Sequence, residues 1–261
     1  EVPSTEEIEL LAWYLQDDGN WAGPALVSGD DDFDVIGEAT YTQLPGGNML
    51  LSWAEQSIGV EPNRIRYSLF NSQDGLWSLP ESIPASGLSN PSFSTPYDTY
   101  DPILSYIVDD DGDQGIGVSH FDTETNSWHM TDILDQQNEN AGAPVIARNS
   151  RGDTQVIWIQ QGMVYGSQLL IGEVNWTDPV PISDATGDAF GNGLTLTSMP
   201  DHGFLAGWSQ KPSAPEPFHI WTNRSNPEGT WQTADFLITT ENGHYPIIKS
   251  GPQSGAQLIW L

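Results

Sequence analysis

A tryptophan recurs about every 50 residues along the whole chain, each time opening a short segment of the same character. The five copies are Asn20-Trp21-Ala22-Gly23-Pro24, Leu76-Trp77-Ser78-Leu79-Pro80, Ser127-Trp128-His129-Met130-Thr131, Asn175-Trp176-Thr177-Asp178-Pro179 and Thr230-Trp231-Gln232-Thr233-Ala234. The steps between these tryptophans are about 56, 51, 48 and 55 residues, and re-entering at residue 1 after the C-terminus gives a fifth step of about 51. That period matches four short strands with their turns, a unit that cannot bury its faces alone and must stack against copies of itself.

Three further strand types recur in step with the tryptophan segment. A small-residue strand comes first, as at Glu38–Thr42, Pro91–Ser94, Ala143–Ala147, Leu194–Thr197 and Tyr245–Ile248. An apolar strand ending near an aromatic follows: Asn48–Trp53, Pro102–Tyr106, Gln155–Trp158, Phe204–Trp208 and Gln257–Trp260. The third type alternates in character, at Arg64–Phe70, Ile116–Phe121, Val164–Leu169, Phe218–Thr222 and Ile8–Tyr14. Period-two alternation bounded by Gly, Asn, Asp and Pro is a strand signal, and small or β-branched residues suit the crowded innermost position of a ring.

The expected fold is therefore all-β: a five-bladed β-propeller, four antiparallel strands per blade, in a single domain spanning residues 1–261. Its last blade takes inner strands from the C-terminus (about 245–260) and outer strands from the N-terminus (about 8–28). One hydrogen-bonded seam is expected to join them, removing exposed sheet edges. The rival is completion of a neighbouring molecule's blade, giving a homo-oligomer or filament through the terminal strands. Helix should be almost absent.

Composition narrows the function. With 36 acidic against 7 basic residues the formal charge is -29, which repels phosphate backbones and anionic membranes. Nucleic acid is excluded as a partner, and so is membrane insertion, for no apolar run reaches about 18 residues. Such an acid excess suits seawater or brine, where salt screens self-repulsion, so a marine or halophilic source and an extracellular location are expected. The chain has no Cys, which removes thiolate chemistry and any disulfide scaffold.

In a propeller, the loops joining an outermost strand to the next innermost strand converge on the axis. The stretches 29–38, 86–101, 135–142, 184–193 and 241–244 are assigned to that set. They bring Asp34, Glu38, Asp98, Asp101, Glu139, Asp184, Asp188, Glu241 and His244 to the mouth as ligand-binding candidates. Carboxylates and amides beside aromatic rings hold sugars, whereas Asp and Asn also favour turns for purely local reasons. A catalytic reading needs carboxyl groups about 5 to 10 Å apart, one protonated and one ionised, and selects Asp101, Glu139 and Asp188.

The turn Asp109-Asp110-Asp111-Gly112-Asp113 alternates carboxylates as a calcium loop does, with Asp109, Asp111 and Asp113 as ligands. After Asp113 the Gly comes one place late for an EF-hand, at Gly115, and no Glu stands at the twelfth position. No cofactor is expected other than such a calcium ion. Arg151-Gly152-Asp153 spells an adhesion tripeptide but sits in an expected hairpin. Asn175-Trp176-Thr177 and Asn223-Arg224-Ser225 match the glycosylation sequon.

By blade ends such as Trp77-Ser78-Leu79-Pro80, the chain resembles five-bladed propellers of the sialidase-like and lectin type at the level of architecture. Departures from the sialidase pattern are clear. The stretch Ser72-Gln73-Asp74-Gly75-Leu76-Trp77 is two residues short of a sialidase Asp box, and Arg64, Arg66, Arg148, Arg151 and Arg224 fall on turns or middle strands. The segment Tyr100-Asp101-Pro102-Ile103 is similar to the blade start of arabinanase-like hydrolases, and that resemblance implies a base at Asp101. The other acidic segments of those families have no match at corresponding blade positions.

The reading placed first is a non-catalytic recognition or adhesion module, taking a glycan or an extracellular protein through an acidic, aromatic-lined face. The alternatives are a glycoside hydrolase or polysaccharide lyase with carboxylates at the axial mouth, and a structural subunit.

Overall fold

The structure is a computed structural model describing residues 9–16, 18–28, 32–59, 61–84, 87–94, 100–110, 113–129, 132–134, 140–184, 187–211, 216–233, 236–239, 243–251 and 255–261. The chain opens with a hairpin, β1 (Leu11–Leu15) and β2 (Trp21–Leu26). Blade 1 follows as β3 (Phe33–Gln43), β4 (Met49–Ser57), β5 (Arg64–Asn71), β6 (Leu76–Trp77) and β7 (Glu81–Ser82). Blade 2 is β8 (Gly87–Phe93), β9 (Ile103–Asp110), β10 (Asp113–Asp122), β11 (Ser127–Trp128) and β12 (Asp132–Ile133). Blade 3 is β13 (Ala141–Arg148), β14 (Thr154–Gln160), β15 (Met163–Leu169) and β16 (Val180–Pro181). Blade 4 is β17 (Asp188–Ser198), β18 (Phe204–Lys211), β19 (His219–Arg224) and β20 (Phe236–Thr239). A hairpin of β21 (Ile247–Ser250) and β22 (Ala256–Ile259) ends the chain.

Every pairing is antiparallel, and each complete blade runs from innermost to outermost strand in chain order. Among the described residues the only helical segment is a single 3-10 turn at Pro45–Gly47. The outermost strands are the most broken, for a chemical reason. Pro80 interrupts the run between β6 and β7, and Pro179 and Pro181 leave β16 two residues long, because proline cannot donate to a ladder and is tolerated at a sheet edge. The second strands are the opposite case. β14 is buried at every position, and its run Val156-Ile157-Trp158-Ile159 is apolar throughout because a blade is packed on both faces.

The blades stack in sequence. One core cluster joins blade 1 to blade 2 around Tyr67, Leu104 and Phe121; a second joins blades 2 and 3 around Ile116, Val118 and Trp158; a third joins blades 3 and 4 around Ile157, Ile182 and Trp208. The recurring outer tryptophan plugs the cleft to the preceding blade. Trp128 meets Tyr67 at 5.7 Å, Trp176 packs on the cluster containing Ile116, and Trp231 on that containing Ile157.

By the same rule, Trp77 of blade 1 packs with Leu10 and Ala12 at β1, and Tyr14 meets Phe70 at 4.8 Å. The N-terminal hairpin thus occupies the place of the blade that precedes blade 1. The C-terminal hairpin packs on blade 4, where a Cβ on Gly207 would lie 2.7 Å from Ile248 Cδ1. By repeat order the two hairpins correspond to the outer and inner halves of a fifth unit, the N-terminal one set against blade 1 and the C-terminal one against blade 4. They differ from expectation in one respect: among the described residues each is a separate two-stranded sheet, with no ladder from β22 to β1. Accordingly Trp21, the fifth copy of the plug, is 68 % exposed.

Candidate functional site

Five innermost segments converge on a cavity of about 590 Å³ at the axis. Gly37–Thr40 of β3, Asn90–Ser92 of β8, Pro144 and Val145 of β13, Leu194 of β17 and Tyr245 ahead of β21 form its wall. In all four complete blades the inner strand loses register there, between Ile36 and Thr40, Gly87 and Ser92, Gly142 and Val145, and Ala189 and Leu194. Bulges of this kind bend a strand and re-aim its side chains, which lets crowded strands diverge while turning selected groups inward. In the first three blades the bulge lies across from the buried aromatic of the second strand, Trp53, Tyr106 or Trp158.

Two non-glycine residues on this wall hold left-handed backbone, Asn90 at φ 55° and Tyr245 at φ 51°. Asn tolerates that region through local hydrogen bonding, but an aromatic residue there is strained, and such strain concentrates at functional sites. Tyr245 is half exposed, with His244 at 6.0 Å between ring centres, and His244 in turn rests on Phe218 at 4.7 Å. Backbone bonds in both directions between His244 and Leu261 hold the pair in place. Neither Tyr245 nor Asn90 was singled out by the sequence. The usable signal was an aromatic at 245, where the other copies of the strand begin with Glu, Pro, Ala or Leu.

Among the described residues Glu38 is the one carboxylate lining the cavity, and its side chain is exposed. Asp34 lies four residues earlier on β3, opposite Gln56 and partly buried. Glu55, paired with Val35, is 2 % exposed, more deeply buried than either Asp34 or Glu38. Its Oε1 accepts the Trp53 indole N–H at 2.8 Å, and its Oε2 accepts Arg64 Nε at 2.8 Å. The Arg64 guanidinium also lies 3.5 Å from the centre of the Phe33 ring.

The other candidates divide between the two ends of the ring. The mouth end carries the starts of the inner strands and the turns between second and third strands, as the bond from Ala189 N–H to Gly162 O at 2.7 Å shows. Asp188 belongs there, but its side chain lies over the Gly162 turn, 2.8 Å from where a Cβ on that glycine would stand. Asp184 sits exposed between β16 and β17. Asp109 and Asp113 flank the β9–β10 turn, where Asp109 pairs with Gln114 and Asp113 with Asp110. Among the described residues no three His, Asp or Glu side chains are grouped to hold a metal ion. Asp98, Asp111, Glu139 and Glu241 lie outside the described residues.

Asp101 requires a correction. The stretch 86–101 is not one mouth-facing connection: β8 occupies its first half, and the bond from Ser94 N–H to Ile103 O at 2.9 Å puts the start of β9 at the opposite end of the ring. There Asp101 Oδ1 accepts Thr123 Oγ1 at 2.6 Å, and its backbone carbonyl accepts Arg148 Nη1 at 2.7 Å. Arg148 is 5 % exposed, and burial brings its pKa down to about 10 although the nearby Asp101 charge works the other way. Asp101 is therefore apart from Glu38, Asp188 and His244.

The same end explains the adhesion-like tripeptide. Asp153 is 2 % exposed and accepts Asn149 Nδ2 at 3.0 Å and Arg151 Nη2 at 2.6 Å, so its carboxylate is engaged within the fold. Asn149 also donates to His202 O at 2.7 Å, Tyr100 to Arg151 O at 2.9 Å, and Arg151 to Pro227 O. This turn is a tie between blades 2, 3 and 4. Asn223 of the second sequon is likewise buried, donating to Ile182 O at 2.8 Å.

No family model and no curated protein sequence matches the chain. Solved structures do. An α-L-arabinofuranosidase of glycoside hydrolase family 93 from Fusarium graminearum, in complex with arabinobiose, superposes with a TM-score of 0.59 at 12% identity, over 88% of this chain and 76% of that one. An α-L-arabinanase from Penicillium chrysogenum, also with arabinobiose, gives 0.57 at 11% identity over 85% and 74%. The NanB sialidase from Streptococcus pneumoniae gives 0.57 at 10% identity, and the match spans 98% of this chain but 60% of the sialidase.

These likenesses establish the propeller architecture, sialidase-like in kind and of no specific family. They also correct the order of the functional readings: the three propellers named here are glycoside-cleaving enzymes, which displaces the non-catalytic recognition or adhesion module from first place in favour of the hydrolase alternative.

Proposed function

We propose that this protein is a glycoside hydrolase whose substrate enters the axial cavity and is cleaved with the help of Glu38. The observation that carries the reading is the placement of an exposed carboxylate on a bulged inner strand, facing a cavity walled by all five repeats. A cavity of about 590 Å³ suits one or two sugar units, and a tyrosine edge with neighbouring amide and hydroxyl groups suits their mixed apolar and polar faces. The propellers it resembles act on arabinofuranosides, arabinan and sialosides by name; the net charge of -29 favours the neutral pentose class over the anionic one. The acidic surface also fits an enzyme working outside the cell.

Glycoside hydrolysis takes a pair of carboxyl groups, about 5 Å apart when configuration is retained and about 6.5–9.5 Å apart when it is inverted. We assign Glu38 as one member. The second is drawn from Asp34, Glu139 and Glu241, acids that lie in or just ahead of inner strands in the sequence. The protonated member gives its proton to the departing glycosidic oxygen while the ionised one attacks or activates water on the opposite face.

The test is release of 4-nitrophenol from a panel of neutral aryl glycosides headed by the α-L-arabinofuranoside, with Glu38→Gln beside the parent protein. The expected result is turnover by the parent and a loss of about 100-fold or more in the variant at unchanged melting temperature. Glu139→Gln, Glu241→Gln and Asp34→Asn then identify the partner. Full activity in Glu38→Gln, or no turnover of any glycoside, overturns the proposal.

A further inference from the structure

At the outer edge of the ring, between blades 3 and 4, lies a second cavity of about 470 Å³ that has no part in the axial site. Its floor is a cross-strand pair, Gln155 on β14 directly opposite Gln168 on β15. Both are buried, at 1 % and 6 % exposure. Gln155 is pinned by its own amide, since Nε2 donates to Val156 O at 3.0 Å and to Ser167 O at 2.9 Å. That leaves Gln155 Oε1 as a buried acceptor and Gln168 Nε2 as a buried donor, neither with a hydrogen-bond partner among the described residues.

An unpaired buried amide atom has given up its water without a replacement, and two of them on facing residues of one cleft is a costly arrangement for a fold to keep. The remaining wall is amphipathic: Trp231, Thr177, Thr230 and Val180, with Glu228 at the rim. The turn carrying Gly229 closes over Gln168 so tightly that any side chain there would collide with the Gln168 amide.

We propose that this cleft is a second glycan subsite, binding one sugar unit of a neutral polysaccharide and holding the polymer while the axial site acts. An acceptor and a donor on facing residues match a sugar hydroxyl, which gives one hydrogen bond and takes another, and the Trp231 ring offers a face for the apolar side of the sugar. Glu228 and the overall negative charge disfavour an anionic occupant. The role as a substrate-holding subsite rests on the hydrolase reading above; the binding itself does not.

The experiment is affinity electrophoresis through gels containing debranched arabinan or wheat arabinoxylan, comparing the parent protein with Gln168→Leu and Trp231→Phe. Replacing an unpartnered buried amide by an apolar group of similar size leaves stability unchanged or raises it, so Gln168→Leu is expected to fold. The expected result is retardation of the parent, weakened about tenfold or more in Gln168→Leu, with aryl glycoside turnover at the axis unaltered. Equal retardation of parent and Gln168→Leu overturns the proposal, as does absence of retardation by either polymer, which leaves the cleft to water. Failure of the hydrolase reading shows separately, as absent turnover beside intact, Gln168-dependent retardation.

Discussion

Single buried polar residues decide much of this molecule's stability. In three blades a fully buried tryptophan donates its indole N–H to the side chain two residues on: Trp53 to Glu55 at 2.8 Å, Trp158 to Gln160 at 3.3 Å and Trp208 to Gln210 at 2.7 Å. Only blade 1 uses a charge for this, and Arg64 balances it. Glu55→Ala removes both the indole's acceptor and the guanidinium's partner, and we expect a loss of about 3–5 kcal/mol in urea unfolding. The double change Glu55→Gln with Arg64→Met restores the amide that blades 3 and 4 use, and should recover most of that loss. Asp153 adds a pH dependence. Burial opposes its charge, but hydrogen bonds from Asn149, the Ile171 N–H and Arg151 outweigh burial and hold its pKa below the ordinary value. The unfolded chain therefore binds this proton more readily than the folded one. Its stabilisation is complete above about pH 4 and is lost as pH falls through the depressed folded value. Urea midpoints measured from pH 5 down to pH 2 should show a steeper fall for the parent than for Asp153→Asn, which is less stable at pH 5 by about 2 kcal/mol.

At the level of strands and blades, the tryptophan spacing and the order small, aromatic, alternating, tryptophan were legible because both are periodic and each position has one packing job. The bulges were not, since a register shift in an inner strand follows from crowding at the axis and leaves no period in the sequence. For that reason Glu38 was named only as one acid among eight, and Tyr245 not at all. Asp101 was misplaced for a related cause: Gly87-Leu88-Ser89-Asn90 has the composition of a turn, so the strand recognised at 91–94 was taken as short and the mouth stretch was carried across it to residue 101, whereas β8 spans Gly87–Phe93. Docking of the C-terminal hairpin depends on a small residue. A Cβ at position 207 would meet Ile248 Cδ1 at 2.7 Å and Thr195 Cγ2 at 3.2 Å. Gly207→Ala should therefore cost about 1–3 kcal/mol and raise hydrogen exchange selectively in Ile247–Ile259. Exchange unchanged in that segment would mean that the hairpin is not held through this contact.

For the whole molecule, the dominant physical fact is a charge of -29 on four stacked blades flanked by the two terminal hairpins. Self-repulsion on this scale is screened by salt, since the Debye length shortens from about 10 Å at 0.1 M to about 3 Å at 1 M. The melting temperature should rise by several degrees between 0.05 and 1 M sodium chloride; a flat or falling response would remove the basis for reading the composition as an adaptation to brine. The ring also sets the chemistry, because convergence of five inner segments is what creates the cavity beside Glu38. The most direct measurement of that claim is a crystal structure of Glu38→Gln soaked with arabinobiose. The account predicts sugar density in the axial cavity, in contact with the side chain at position 38 and with Tyr245. Sugar bound with an empty axis, at any other place on the molecule, would contradict it.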